Sequence, residues 1–443
     1  MTTSTLPAGA LSPASAALDE AIEKVVRSGN CSGCGACALL DPGVEMRRSP
    51  DGFLRPVRRD AEATDTVSAD AVERFTDACP GVTVRAANPS GARRHPTMGP
   101  VVRAWKAWAT DSDTRHRGSS GGALTAIAAW LLETGQAARM VGATAEAAEP
   151  RRTVSVTIMT RDQAIASAGS RYAPTASAAQ PAAVQNGSVF IGKPCEASAV
   201  RSLIATRPDA QAAEPGDDPV ILSFFCAGTP SQHATDALVE SLGVSADDQL
   251  DDLWYRGRGW PGRFTAVRTD GTSVDASYEQ TWGSTLGPAV QWRCKICADG
   301  VGESADITAA DFWRADAQGY PVFAEGAGRS ALIARTERGY DIVLRAVEAG
   351  VISVTAMDIA DLAAVQPLQT TRRETLAGRL LGARLAGGAV PRYRGFSLSM
   401  LALPRLREAY RMAKGTFRRR RAAGAASRTA ASSEPDGAGS PTP

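Results

Sequence analysis

Val101-Val-Arg-Ala-Trp-Lys-Ala-Trp-Ala109 passes through a polar loop at 111–117 into Gly118-Ser-Ser-Gly-Gly122, and Ala-Leu-Thr-Ala-Ile-Ala-Ala-Trp-Leu-Leu-Glu133 follows. The first run reads as a strand carrying Trp105 and Trp108, the last as a helix with Gly135 beyond it. A strand, a glycine turn and a helix in that order point to an α/β layer architecture. Small residues at 118–122 let backbone amides approach an anion, and a helix start adds a favourable dipole. Ser119 and Ser120 add hydroxyls for phosphate or flavin oxygens. The run is neither a Walker loop nor a G-x-G-x-x-G fingerprint, so it lends nothing to nucleoside triphosphate binding. A structural turn with a serine cap is the plainer reading of the same letters.

Outward from this unit, the patterning predicts strands at 140–143, 153–159, 188–192, 220–225 and 264–269, and helices at 197–204 and 234–242. Residues 330–365 add a strand and a helix over 340–348, and 372–415 reads as largely helical. Two of the strands run straight into a cysteine, as Val189-Phe-Ile-Gly-Lys-Pro-Cys195 and Ile221-Leu-Ser-Phe-Phe-Cys226. Carboxyl ends of strands in an open sheet line its ligand crevice, so both thiols fit one site. Cys294-Lys-Ile-Cys297 adds a pair on a loop, and four thiolates from three segments complete a cluster. The alternative is two buried apolar cysteines beside a zinc knuckle or redox pair.

Before this domain stands Cys31-Ser-Gly-Cys34-Gly-Ala-Cys37. Three cysteines at two-residue intervals open bacterial iron–sulfur motifs, whereas zinc ribbons use two per loop. Gly33 and Gly35 permit the left-handed turns such a loop needs. A ferredoxin would continue with Cys-Pro after three more residues; here that place holds Asp41-Pro42, and Cys79-Pro80 comes later. Cys79 is therefore assigned as fourth ligand, with Asp41 as the lesser alternative. A zinc loop or three unrelated thiols remain open. A helix over 18–26 leads into the loop, 44–57 reads as a hairpin turning at Ser49-Pro-Asp-Gly52, a helix covers 69–76, and 85–97 reads as a linker.

The 443 residues exceed one ordinary core and suggest two domains with extensions. A net charge of +2 gives no case for nucleic acid as partner. The longest apolar run, 123–132, is too short for a transmembrane segment, and the N-terminus lacks the basic start of a secretory signal. A cytoplasmic location is expected, where eight cysteines read as ligands rather than disulfides. Two four-iron clusters would use all eight. Residues 1–17 and 418–443 read as disordered. Arg418 to Arg421 read as a solvated helix end, with an anionic membrane surface or nucleic acid as the alternative.

Other residues suit a planar, anionic cofactor. Arg171 and Tyr172, in Gly169-Ser-Arg-Tyr-Ala-Pro174, offer a cation and a stacking ring, and Lys193 a charge that favours a reduced flavin. The loop Tyr255-Arg-Gly-Arg-Gly-Trp-Pro-Gly262 suits stacking and acid pairing, or is a surface turn. His95, His116 and His233 lack metal-ligand spacing; His116, near the glycine loop, is a candidate proton donor beside Lys193. Asp306 and Asp311 flank a further strand and read as either structural or functional.

Taken in order, CSGCGAC, ACPG, RGSSGGALTA, GSRYAP, IGKPCEA, FFCAGTPS, YRGRGWPG, RCKICADGVGESADI and GRSALIART resemble the coenzyme F420 hydrogenase/dehydrogenase beta-subunit family (F420 is a deazaflavin cofactor), over residues 31–335. The plant 7-hydroxymethyl chlorophyll a reductase is similar. The resemblance implies an iron–sulfur flavoprotein oxidoreductase passing electrons between 4Fe–4S clusters and FAD, and on to coenzyme F420 or another hydride acceptor. It implies a small ferredoxin-like region at 18–97, a mixed α/β flavin and second-cluster domain at 98–371, and a helical extension at 372–417. Cys31, Cys34, Cys37 and Cys79 would hold one cluster, and Cys195, Cys226, Cys294 and Cys297 a second. The family's glycine-rich loop corresponds to Ser119, Ser120, Gly121 and Gly122, which would contact FAD; Thr125, Arg171, Tyr172 and Lys193 are the further cofactor-binding candidates. The partner would be a redox protein or a small-molecule acceptor, with room for a homo-oligomer. A non-catalytic electron-transfer subunit and a zinc-dependent binding protein are the competing readings.

Overall fold

The computed structural model describes residues 11–59, 67–208, 216–315, 321–322 and 325–432. Its spine is an 8-stranded sheet. Numbered along the chain, the strands are β1 (Arg103–Ala109), β2 (Arg139–Ala145), β3 (Thr153–Ile158), β4 (Ser188–Gly192), β5 (Val220–Phe224), β6 (Ile307–Asp311), β7 (Ser330–Ala334) and β8 (Ile352–Ala356). Their order across the sheet is β8-β1-β7-β6-β5-β4-β2-β3. The pairs β2–β4, β4–β5 and β5–β6 are parallel, and the flanking pairs are antiparallel.

Both faces of this sheet are covered, which explains why β4, β5 and β7 are apolar without alternation. Val189 and Leu222 face the helices Ala123–Glu133 and Glu337–Glu348. The neighbouring residues Phe190 and Ile221 face the opposite way, onto helix Pro194–Ala205 and the N-terminal segment. Among the described residues that segment has no core of its own. Leu18, Ile22 and Phe75 share one apolar cluster with Val141, Phe190, Val200 and Ile221, so 18–97 packs as a layer on the sheet.

The first helix, Pro13–Arg27, starts inside the stretch expected to be disordered, because Ser12 caps it by accepting the Ser15 amide at 3.1 Å. The hairpin Val44–Arg48 and Leu54–Arg58 turns where the sequence placed it, with the Gly52 amide donating to the Ser49 carbonyl. The expected linker is partly ordered by strand pairing: Thr83–Arg85 runs beside Arg392–Arg394, and Arg93–His95 beside Gly99–Val101. A second sheet of Leu250–Trp254, Arg263–Arg268 and Ser273–Ser277 was visible in sequence only through its middle strand.

The C-terminal helices Pro367–Leu385 and Leu406–Ser432 lie side by side in the same direction. A Cβ on Gly378 would stand 2.0 Å from the Ala409 carbonyl oxygen, and one on Gly382 2.2 Å from that of Ala413. The helix runs on to Ser432, past position 418 where disorder was expected. Residues 1–10 and 433–443, the ends of the two expected disordered segments, lie outside the described residues.

Candidate functional site

Cys31, Cys34, Cys37 and Cys79 line one apolar cavity, walled by Ile22, Val25, Leu40 and Phe75. The loop reaches this shape through Gly35 at φ +90°, where a Cβ would press to 2.7 Å from the Ala179 methyl. Burial above all, then Cys34, Cys31 and Cys79, holds the Cys37 thiol well above its ordinary range. Asp41 is not on this cavity wall. It is buried and committed elsewhere, accepting the Gly43 amide at 2.7 Å and pairing with Arg58 at 2.8 Å. If these four thiols hold the iron–sulfur cluster that the resemblance implies, Cys79→Ser lowers bound iron per chain, while Asp41→Asn leaves it unchanged and lowers only the melting temperature. Iron assay and thermal unfolding of both variants check this.

The later cysteines gather around Cys226. Burial and then Cys294 push its thiol up to about 12, with Cys297 adding to the rise. The Thr229 amide donates to the Cys294 sulfur at 3.3 Å. Cys195 is within electrostatic reach of both sets: after burial, the charges felt by its thiol include Lys193, Glu196, Cys34 and Cys226. Side chains before Cys294 bind the sets together. Gln291 donates to the Ser32 carbonyl at 2.9 Å, and buried Arg293 donates to the Pro80 carbonyl at 2.9 Å. Among the described residues, no group of three or more His, Cys, Asp or Glu side chains is set to hold a single metal ion. The N-terminal thiols stand around a space instead, which suits a polynuclear cluster with its ligands apart.

A cavity of about 660 Å³ opens at the carboxyl ends of β2, β4, β5 and β6, within the usual size range of cofactor sites. Gly118, Ser119, Ser120, Gly122 and Thr125 line one side, and Cys226 to Thr229 line another. A third side is aromatic, with Tyr172, Tyr278, Trp282 and Trp313. Buried Arg256 stands 4.8 to 5.1 Å from the rings of Trp260, Tyr278 and Trp313 and donates to Asp311 at 2.6 and 2.9 Å. Helix Pro367–Leu385 closes the cavity. Gln369 and Arg372 donate to the Cys226 carbonyl at 3.2 and 2.9 Å, and Arg372 also reaches Ala227.

The residues expected at a flavin divide. Ser119, Ser120, Gly122, Thr125, Arg171, Tyr172 and Lys193 all line the cavity. Gly121 does not; its amide donates to Ser330 Oγ at 2.9 Å and its Cα lies against the Ala107 carbonyl. His116 also falls outside the lining, in helix Ser112–Arg117 with its carbonyl accepting the Gly259 amide. Arg171 spends its guanidinium on Thr153 Oγ1 and the carbonyls of Pro150, Arg152 and Leu253. Lys193 is tied to the Thr175 carbonyl at 3.0 Å and Glu196 at 2.7 Å. Burial pulls its pKa down, but Glu196 and Cys195 outweigh that, so the ammonium stays charged and paired. Sequence reading missed Tyr278, Trp282, Trp313, Gln369 and Arg372. Trp313 alone carried a signal, two residues past the acidic end of β6.

Residues 104–180 match the family model for the N-terminal part of the coenzyme F420 hydrogenase/dehydrogenase beta subunit, and residues 186–359 match the model for the C terminus of the same protein. Together they take in more than half of the chain. This chain belongs to the coenzyme F420 hydrogenase/dehydrogenase beta-subunit family. Similar relatives include the coenzyme F420 hydrogenase subunit beta of Methanococcus voltae, 25% identical over 304 residues, which span 66% of this chain and 99% of that one. The protein of the same name from Methanothermobacter thermautotrophicus is 25% identical over 259 residues, covering 56% and 82%. Among solved structures, a chain of the F420-reducing NiFe hydrogenase complex from Methanosarcina barkeri aligns with a TM-score of 0.47 at 22% identity, covering 64% of this chain and 96% of that one. The family is a redox family, and both named relatives are hydrogenase subunits.

Proposed function

We propose that the chain is an iron–sulfur flavoprotein oxidoreductase, moving electrons between 4Fe–4S clusters and FAD and on to coenzyme F420 or another hydride acceptor. The observation that carries this reading is continuity. Cys31, Cys34, Cys37 and Cys79 line one cavity, Cys226 forms part of the wall of the larger one, and Cys195 feels the charges of both Cys34 and Cys226. Clusters pass single electrons, and a flavin takes them singly and delivers a pair as hydride.

The chain's own residues have the remaining tasks. Ser119, Ser120 and Thr125, at the start of helix Ala123–Glu133, offer hydroxyls to an anionic cofactor. Tyr172, Tyr278, Trp282 and Trp313 present faces for a planar ring and keep water from it. Gln369 and Arg372 hold the Cys226 carbonyl, fixing the wall between thiols and cavity. Arg171 and Lys193, both committed to protein partners, position the wall rather than move protons.

That commitment also favours the second reading, a subunit that only relays electrons to a catalytic partner. Anaerobic purification with iron, sulfide and flavin measured per chain tests the proposal. About eight irons and one FAD are expected. Zinc in place of iron would overturn it. Turnover of reduced deazaflavin by the isolated chain separates an enzyme from a relay.

A further inference from the structure

The family match ends at residue 359, and the last helix, Leu406–Ser432, follows it as an addition that lines no part of either cavity. Its packing is inverted. The side turned to Pro367–Leu385 buries small residues, Ala409, Ala413 and Thr416. The outer side, with the short helical segments Leu398–Ala402 and Leu403–Arg405 before it, exposes bulky apolar ones: Met400 at 67%, Leu403 at 53%, Leu406 at 61% and Tyr410 at 70%. Three- and four-residue spacing puts these on one face. Arg407, Arg411, Lys414 and Arg418 are exposed on that same face. The single acid between 406 and 423, Glu408, is paired with Arg405. A helix that only covered this protein would turn its leucines inward.

We propose that this outer face docks on the surface of a bilayer containing anionic lipid. Large apolar side chains interleaved with cations, and no free acid, are what a helix lying in the headgroup plane requires. The cations pair with lipid phosphates while Leu403, Leu406 and Tyr410 enter the acyl boundary. A second copy of the chain is a poor occupant, because a two-fold contact would set Arg407, Arg411 and Lys414 against their own kind. Among the described residues no helix is long and apolar enough to cross a membrane, so the contact is one of lying on the surface. The proposal does not depend on the redox reading.

Flotation of the full-length protein with vesicles of phosphatidylglycerol and phosphatidylcholine in equal parts, and with phosphatidylcholine alone, tests it. Binding is expected to the first and not the second, and to weaken as salt is raised. Leu406→Glu/Tyr410→Glu and Arg411→Glu/Lys414→Glu are each expected to bind at least tenfold more weakly, with Arg411→Lys unchanged. Circular dichroism melts confirm that the variants stay folded, and Leu406→Gln/Tyr410→Ser serves if they do not. Equal binding to both vesicles, or glutamate variants that bind like the parent, would overturn the proposal. So would a dimer by light scattering that Tyr410→Glu dissolves, since a second copy would then own the face.

Discussion

Glu303→Ala is expected to cost about 3–5 kcal/mol of folding stability, as for breaking other buried ion pairs. The carboxylate is almost wholly buried between two guanidiniums, Arg94 at 2.8 Å and Arg373 at 2.5 Å. Buried Arg335 stands close by, donating to the carbonyls of Met98 and Pro100 at 2.7 and 2.8 Å. Despite burial, these arginines hold the Glu303 carboxyl below its ordinary range. Removing it leaves Arg94, Arg373 and Arg335 with Asp299 as the one acid of the group. Asp299 is itself occupied, capping the amides of Val301, Gly302 and Glu303. Arg373 also donates to the Ala298 carbonyl, next to Cys297, so the lesion loosens the second cysteine loop. Urea denaturation gives the cost. Conserving the charge with Glu303→Asp is expected to recover part of it.

Arg256→Met is expected to lower stability by about 1.5–3 kcal/mol, the scale of charge-assisted hydrogen bonds, and, under the proposed flavin assignment, to weaken flavin retention at least tenfold. Here the partner is not sealed off. The Asp311 side chain keeps 21% of its surface exposed, so water shares the burden of the unpaired carboxylate. The sharper loss is geometric. Arg256 holds Trp260, Tyr278 and Trp313 around one guanidinium, and without it the aromatic wall has no common anchor. Flavin released on gel filtration, set against the denaturation midpoint, separates the two effects. Arg256→Lys is expected to keep the charge yet lose the two-pronged grip on Asp311.

Local signals in the sequence located much of this protein. The strand 188–192 and the helix 123–133 were readable to the residue, because one is a short apolar run bounded by turns and the other a periodic run between glycines. The positions of the cysteines at strand ends and two-residue spacings are local facts too, and the fold brings Cys79 to the cavity that Cys31, Cys34 and Cys37 line. What stayed hidden depends on distant partners. Arg171 and Lys193 looked like free cations until Leu253, Thr153 and Thr175 came round to meet them. Gln369 and Arg372 reach the Cys226 carbonyl from across more than a hundred residues, and no spacing announces that. The edge strands Leu250–Trp254 and Ser273–Ser277 carry Asp and Ser where apolar alternation was sought, and their pairing on Arg263–Arg268 overrides propensity.

The distribution of thiols along the chain bears on biogenesis. Cys31, Cys34 and Cys37 occupy one short loop, and under the proposed assignment they can meet iron while most of the polypeptide is still being made. The later set is scattered from 195 to 297, and its segments are held by the pairing of β4 with β5, by Gln291 on the Ser32 carbonyl and by Arg293 on the Pro80 carbonyl. Under the proposed assignment, the second centre matures last, and its occupancy records whether the sheet was completed.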